Sequence, residues 1–203
     1  MKCPWRAIVL VAALTLGAGA PTFAQQAAPP PPAPPPANEP LTKPPNTMPG
    51  DPFGEEVTLT PKTIIYLKGN STWDKALDNL VDAFKSVYAL LDKQGIKRDG
   101  PAMTVYTQAD DTGFQFQAAV PIAEEPKELP KGDIAVGQSP GGKALKFTHR
   151  GSYDAMDNTY EAITNYLDEK RLEAADAFIE EYATDPVTTP EDKFVVTVYV
   201  PLK

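Results

Sequence analysis

The apolar and polar positions of the chain predict a domain of mixed helices and strands over about residues 54–203. Apolar residues recur at helical spacing over about residues 72–94, and Gly95 follows as a stop signal. A second helix is predicted over about residues 153–167. Segments that are rich in β-branched residues or alternate in polarity predict strands at 57–67, 102–108, 114–120, 133–137, 143–150, 177–182 and 193–200.

Local signals set the predicted boundaries of these elements. Pro61 predicts an edge or a bend within the first strand, because proline cannot donate to a sheet ladder. Residues 68–70, Lys-Gly-Asn, are predicted to form a turn. Ser71 and Ser152 each precede a predicted helix, where a serine hydroxyl commonly caps free backbone N–H groups.

The predicted elements give the order strand–helix–strand–strand twice. Corresponding positions in the two halves carry the same residue types, as in Gly69 and Gly151, Tyr106 and Tyr182, and Pro121 and Pro201. Each half is too small to bury its sheet and helix faces well alone. We therefore predict an α+β fold of tandem, pseudo-symmetric β-α-β-β repeats, with the helices on one side and a central cleft between the repeats.

Glu180 lies between two aromatic residues at strand spacing. Side chains of a strand alternate between its faces, so Phe178, Glu180 and Tyr182 are predicted to share one face. A carboxylate between aromatics suits a cavity that receives a ligand better than a face that is only packed core. In an apolar cleft its pKa would be raised by desolvation, unless a cation binds. The alternative is that Glu180 is exposed at a strand edge and Glu181 points inward.

Further aromatic residues are candidates for the walls of the same cleft, because they lie at repeat-related or neighbouring positions. Aromatic faces add stacking area and attract cations. For each of them, packing in the core or covering it is the alternative role. The predicted ligand-binding set is Glu180, Tyr182, Tyr106, Phe116, Trp73 and Tyr153.

An ordered series of short motifs resembles the GyrI-like family, the effector-binding domain of some AraC- and MerR-type regulators and of a stand-alone gyrase-inhibitory protein. The motifs are P-G-G at 140–142, H-x-G-x-Y at 149–153, E-x-Y-x-x-D-P at 180–186 and V-P-L at 200–202. The resemblance implies a duplicated SHS2 module whose cleft binds organic molecules, often cationic and aromatic. It places the acidic residue of the family on Glu180 and its aromatic partner on Tyr182.

The sequence leaves three functional classes open. The first, which we favour, is a non-enzymatic domain that holds a small organic molecule, which can be cationic or amphipathic. The resemblance also implies a hydrolase of strained, electrophilic compounds, in which Glu180 would be the general base and Tyr182 the hydrogen-bond donor. The third is an interaction module of the cell envelope that uses no ligand. No helix-turn-helix pattern precedes the domain, so we do not expect a one-component regulator.

The N-terminal region predicts export. Residues 1–24 combine a basic start with a short apolar run, which is typical of a signal peptide with cleavage after Ala24. Residues 25–53 hold 12 of the 23 prolines, which predicts a disordered or polyproline spacer before the domain at 54–203. We expect a periplasmic or secreted protein with no stable membrane insertion after cleavage, for which gyrase could not be a partner.

Composition excludes several kinds of partner and chemistry. Without Lys2 and Arg6, 17 basic residues remain against 27 acidic residues, a net charge of −10 that disfavours nucleic-acid binding. The single cysteine, Cys3, lies in the predicted signal, so no disulfide and no thiol nucleophile are expected. His149 is the only histidine and is expected to be structural. We predict no metal site and no cofactor.

Overall fold

The computed structural model describes residues 47–126, 128, 132–175 and 177–203. The predicted signal peptide at 1–24 and most of the predicted spacer at 25–53 lie outside these residues, so both stay predictions. The described residues all belong to one compact unit, Glu39–Lys203. No helix in this part of the chain is long and apolar enough to cross a membrane.

Eight strands and two helices make up the described part of the chain. In chain order they are β1 (Phe53–Leu59), β2 (Thr63–Thr72), α1 (Ala76–Gln94), β3 (Met103–Ala109), β4 (Gly113–Pro121), β5 (Ile134–Gln138), β6 (Gly142–Arg150), α2 (Met156–Lys170), β7 (Phe178–Tyr182) and β8 (Val195–Pro201). A short 3₁₀ turn precedes each helix, at Trp73–Lys75 and at Tyr153–Ala155.

The strands form one antiparallel sheet in the order β1-β6-β8-β7-β3-β4-β2-β5. The first repeat is β2-α1-β3-β4 and the second is β6-α2-β7-β8, and they join through the pairing of β3 with β7. β1 and β5 extend the two ends of the sheet. The predicted α+β fold of two β-α-β-β repeats is therefore confirmed.

Both helices pack on the same face of this sheet. The main core contains Leu80, Phe84 and Val87 of α1, Ile163 of α2, and inward residues of the strands such as Phe147. A smaller cluster on the opposite face contains strand residues only: Ile64, Met103, Val105, Ala119 and Ile179. Both helices cover the joint between the repeats, because Phe84 of α1 packs against Tyr182 of β7 and Tyr160 of α2 hydrogen-bonds to Glu180 of the same strand.

The predicted strand at 57–67 is wrong in one respect, because it is two strands. β1 ends at Leu59, before Pro61, and β2 begins at Thr63. β1 pairs with β6 and β2 with β4 and β5, so the two strands lie at opposite ends of the sheet. Proline at the break removes a donor from the ladder, which explains why the two strands separate here.

The predicted turn at residues 68–70 is also wrong, because β2 continues through them to Thr72. Gly69 lies opposite Phe116 of β4, and a Cβ at this glycine would stand 2.5 Å from Cζ of that ring. Glycine is therefore present here for a close approach between a backbone and an aromatic ring, and not for a turn.

The predicted serine caps at the N-termini of the two helices are wrong, whereas the predicted glycine stop at the C-terminus of α1 is confirmed. Ser71 lies inside β2 and its hydroxyl donates to the Thr72 carbonyl, so it is not a helix cap. Ser152 stands before the second 3₁₀ turn, but its hydroxyl donates to Glu191 and caps nothing. The predicted stop at Gly95 is confirmed, since Gly95 adopts the left-handed conformation with φ of 67°.

Candidate functional site

Glu180 lies in β7 at the centre of the sheet, on the face that the helices cover. It is fully buried, with 0% of its surface exposed. It shares this face with Phe178 and Tyr182, as the strand period predicted. Glu181 belongs to the opposite face, where it accepts a hydrogen bond from Tyr199. The alternative in which Glu181 points inward is therefore excluded.

Three tyrosine hydroxyl groups surround the carboxylate of Glu180. Tyr160 of α2 donates to Oε1 at 2.7 Å. Tyr106 of β3 and Tyr182 of β7 both donate to Oε2, each at 2.9 Å. Each carboxylate oxygen thus has at least one donor, which offsets part of the cost of burying the charge.

A second layer of hydroxyl groups orients these donors. The Tyr106 hydroxyl lies 2.9 Å from that of Tyr153, and the Tyr182 hydroxyl lies 3.2 Å from Oγ1 of Thr104. A tyrosine hydroxyl has one proton, and Tyr106 and Tyr182 give theirs to Glu180. Tyr153 and Thr104 must therefore donate to them, so every proton in the cluster points toward the carboxylate.

Burial dominates the acid–base behaviour of this cluster. Desolvation raises the pKa of Glu180, and the hydrogen bonds from Tyr160, Tyr182 and Tyr106 oppose this effect only in part. Desolvation, together with the nearby Glu180 charge, also holds the pKa of Tyr106, Tyr160 and Tyr182 well above its usual value. The tyrosines therefore stay protonated donors at neutral pH.

Aromatic rings enclose the cluster. Tyr182 packs edge-on against Phe84 of α1, with ring centroids 5.5 Å apart, and it also contacts Phe194. Tyr160 meets Phe178 in the same edge-on manner at 5.8 Å. Such contacts leave Glu180 no open path to solvent, so a ligand that reaches the carboxylate must displace some of these side chains.

The structure brings together four of the six predicted site residues: Glu180, Tyr182, Tyr106 and Tyr153. Phe116 and Trp73 do not contact the carboxylate. Phe116 is buried against Phe114, and Trp73 stacks on the outer side of Phe114 with 51% of its surface exposed. The roles of all six residues in ligand binding stay predictions.

Sequence reasoning missed two members of the cluster, Tyr160 and Thr104. Tyr160 lies within the predicted second helix, where helical spacing alone does not distinguish packing from a role in the cluster. Thr104 stands two residues before Tyr106, as Glu180 stands two residues before Tyr182. The repeat alignment contained this correspondence and could have identified Thr104.

The surface of the described residues includes two depressions of different size. The smaller, of ≈ 200 Å³, has Tyr182 in its wall together with Tyr88, Arg98 and Asp185. There the Arg98 guanidinium lies 4.3 Å from the centre of the Tyr88 ring and pairs with Asp185 at 3.1 Å. The larger, of ≈ 330 Å³, lies at the end of β2, β3 and β4.

His149 is buried outside this cluster and joins the end of β6 to the start of α2. Its Nε2 lies 3.1 Å from the Ser152 carbonyl and its Nδ1 lies 2.8 Å from Oγ1 of Thr159. Among the described residues, no three His, Cys, Asp or Glu side chains gather in a way that could hold a metal ion.

Comparison with solved structures shows the same fold at low sequence identity. EcmrR in its DNA complex superimposes with a TM-score of 0.63 and 12% identity over 73% of this chain, which spans only 56% of the EcmrR chain. SAV2435 bound to tetraphenylphosphonium gives a TM-score of 0.53 at 14% identity, covering 73% of this chain and 93% of that one. A hydrolase encoded by lin2189 from Listeria innocua gives 0.51 at 12% identity, covering 75% and 93%.

No curated protein matches the sequence. Residues 55–203, in contrast, match a family described as GyrI-like, a small molecule binding domain. This match spans both repeats and the whole Glu180 cluster. The chain therefore belongs to the GyrI-like family of small-molecule-binding domains.

Proposed function

We propose that this domain binds a small organic cation between its two repeats, with Glu180 as the anionic contact and the surrounding tyrosines as the walls. One observation supports this proposal above the others. Glu180 is fully buried, and among the described residues no basic side chain pairs with it. Its partners are neutral hydroxyl groups only.

The physical argument rests on the cost of a buried charge. A carboxylate without a counter-ion in an apolar environment is unstable by several kcal/mol, even after hydrogen bonds are counted, or else it takes up a proton. A cationic ligand would supply the missing charge, and the tyrosine faces would add attraction to it. That SAV2435 is described with tetraphenylphosphonium bound adds support from a protein of the same fold.

The closed state of the cluster sets how binding would occur. The tyrosine hydroxyls now occupy the positions around Glu180 that a ligand would need. Ligand binding would therefore require ring movements, and the depression that has Tyr182 in its wall offers one route of entry. The observed affinity would equal the affinity of the open state multiplied by the fraction of molecules in that state.

Isothermal titration calorimetry with tetraphenylphosphonium tests this proposal. We expect saturable binding to the full chain and loss of binding in Glu180→Gln, which removes the charge and keeps the shape. Glu181→Gln is the matched control, because this neighbour lies on the opposite face of the sheet. Equal binding by the wild type and Glu180→Gln would contradict the proposal, as would no binding to either.

A hydrolase is the second candidate, because burial raises the pKa of Glu180 toward the range of a general base. The Listeria innocua protein of the same fold is described as a hydrolase. In this role Glu180 would take a proton from water while Tyr182 donates to the substrate. Product formation from an electrophilic ligand, measured by mass spectrometry, separates it from a binder, which returns its ligand unchanged.

We also propose that the protein acts outside the cytoplasm, in the periplasm or after secretion, because residues 1–24 have the pattern of a signal peptide. Fractionation of cells that express the full chain, with N-terminal sequencing of the product, tests this location and the cleavage after Ala24. In the third reading, as a ligand-free interaction module, Glu180→Gln would leave partner binding unchanged.

A further inference from the structure

The smaller surface depression contains an aromatic face and a carboxylate that together hold a cation of the protein itself. Its wall includes Tyr88 of α1, Arg98 from the segment between α1 and β3, and Asp185 from the loop after β7. The Arg98 guanidinium lies 4.3 Å from the centre of the Tyr88 ring, and its Nη1 donates to Oδ2 of Asp185 at 3.1 Å. An aromatic face and a carboxylate are the contacts that proteins use to bind organic cations.

Tyr88 and Asp185 are each held in place by contacts that do not involve Arg98. The Tyr88 ring packs on Phe84 of the same helix, with ring centroids 6.4 Å apart. Oδ1 of Asp185 accepts a hydrogen bond from the Val187 backbone N–H at 2.9 Å, so only Oδ2 is used by Arg98. The aromatic face and the carboxylate would therefore stay in position if the Arg98 side chain moved away.

The Arg98 side chain is weakly held. It is 49% exposed, and the Asp185 side chain is 32% exposed. At such exposure an ion pair and a cation–π contact each change an equilibrium constant by about fivefold at most. The backbone of Arg98 forms a bridge with Ile122, which fixes the segment while the side chain swings. A ligand cation could therefore displace the guanidinium at small cost.

The depression adjoins the Glu180 cluster. Tyr182 belongs to its wall, and the Tyr182 hydroxyl donates to Oε2 of Glu180. The Phe84 ring contacts both Tyr88 and Tyr182, which links the two places further. At ≈ 200 Å³ the depression is smaller than the range of about 300–1,000 Å³ that small-ligand pockets occupy. A bulky organic cation would therefore need the space that the Arg98 side chain now fills.

We propose that Tyr88 and Asp185 form an outer subsite for an organic cation, and that the Arg98 guanidinium occupies this subsite until a ligand displaces it. This inference rests on the proposed function for the class of ligand, and it adds a first binding position on the way to Glu180. Arg98 and Asp185 are the two charged residues of the wall, so the wall carries a net negative charge once Arg98 leaves. Arg98 thus competes with the ligand and lowers its affinity.

Arg98→Ala tests this competition. Isothermal titration calorimetry with tetraphenylphosphonium should show binding to the full chain that is about fivefold tighter in Arg98→Ala than in the wild type. Lys85→Ala is the matched control, because Lys85 also carries a positive charge in an exposed pair, with Asp82, and lies outside the wall. Equal affinities of Arg98→Ala and Lys85→Ala would overturn the proposal.

Two further substitutions in the Arg98→Ala variant identify the contacts. Asp185→Asn should abolish the gain in affinity, because it removes the charge and keeps an acceptor for the Val187 N–H. Tyr88→Leu should also abolish it, whereas Tyr88→Phe keeps the ring face and should preserve it. A gain that persists with Asp185→Asn would mean that Arg98 only obstructs the entrance, and this would contradict the subsite.

The Glu180→Gln background separates this inference from the proposed function. Glu180→Gln/Arg98→Ala should bind tetraphenylphosphonium weakly but saturably, and further addition of Asp185→Asn should abolish this binding. If the double variant binds no better than Glu180→Gln alone, with circular dichroism verifying the fold of both, the outer subsite is contradicted. The proposed function is tested by a different pair, the wild type and Glu180→Gln, so failure of one is distinguished from failure of the other.

Discussion

Thr104 and Glu180 lie directly opposite each other where β3 pairs with β7. Each stands two residues before a tyrosine, Tyr106 or Tyr182, so the two are equivalent positions of the two repeats. Their pairing places both at the pseudo-twofold axis. Because the two repeats carry different residues at this position, only one carboxylate lies at the centre of the domain. The Thr104 hydroxyl contacts the hydroxyl of Tyr182, one of the donors to that carboxylate.

Thr104→Glu should destabilise the domain strongly at neutral pH, because it creates two buried carboxylates facing each other. Leaving a buried charge uncompensated costs about 3–5 kcal/mol. The loss should shrink at acidic pH, where one of the two carboxyls takes up a proton. Urea unfolding at two pH values measures this. Thr104→Val, which loses only the bond to Tyr182, is the control and should cost about 1 kcal/mol. Similar costs for both variants would contradict the assignment of the axis.

Glu180 should make the free energy of unfolding fall as pH rises. Burial raises its pKa in the folded state above the unfolded value of about 4.3. Between these two values the folded state binds more protons than the unfolded state, so stability decreases with increasing pH. Glu180→Gln should lack this contribution. Subtracting its stability-against-pH curve from that of the wild type removes the other titrating groups, and a difference that stays flat above about pH 4.3 would be evidence against a raised pKa.

Tyr160→Phe should raise the pKa of Glu180 further. Its hydroxyl is the donor to Oε1, and a hydrogen bond to a charged group is worth about 1.5–3 kcal/mol. The pH range in which stability falls should therefore extend upward in this variant. Tyr166→Phe is the control, since the Tyr166 hydroxyl donates to the Gly54 carbonyl and not to the cluster. Identical pH curves for the two variants would contradict the role of Tyr160.

The sequence was sufficient for the repeats and for the face on which Glu180 lies, because both depend on local periodicity and on similarity between the two halves. The closure of the cluster depends on pairings between distant residues, and periodicity does not specify these. Tyr160, for example, is 20 residues from Glu180, and its position within the predicted second helix is equally consistent with packing. The prediction of a turn at Gly69 was wrong for a related reason. Glycine is required there by the Phe116 ring on β4, and local sequence patterns do not reveal such a distant contact.

Gly69→Ala tests whether the close approach of the Phe116 ring requires glycine at this position. Alanine in a strand would gain about 0.5–1 kcal/mol over glycine from backbone entropy. The added Cβ would stand 2.5 Å from the buried Phe116 ring, and overpacking of this kind costs about 1–3 kcal/mol. We expect the clash to dominate and the thermal midpoint to fall. Lys68→Ala, at the exposed neighbouring position, should change stability by less than about 0.5 kcal/mol. A stabilised Gly69→Ala variant would contradict the close approach.

The contribution of His149 to stability should change with pH in the direction opposite to that of Glu180. The Ser152 carbonyl can only accept, so His149 carries its proton on Nε2 and Nδ1 accepts from Thr159. Burial lowers the pKa of His149, so the folded state resists protonation and stability is lost as pH falls through the unfolded value of about 6.5.

Protonation of His149 would loosen the start of α2, where Tyr153 supplies its hydroxyl to Tyr106. His149→Gln should remove this acid-side loss, which is at most about 1.4 kcal/mol per pH unit. Because the slopes of His149 and Glu180 have opposite signs, they partly cancel in the wild type, and the two single variants are needed to separate them. An unfolding curve of His149→Gln that loses stability below about pH 6.5 as steeply as the wild type would contradict this assignment.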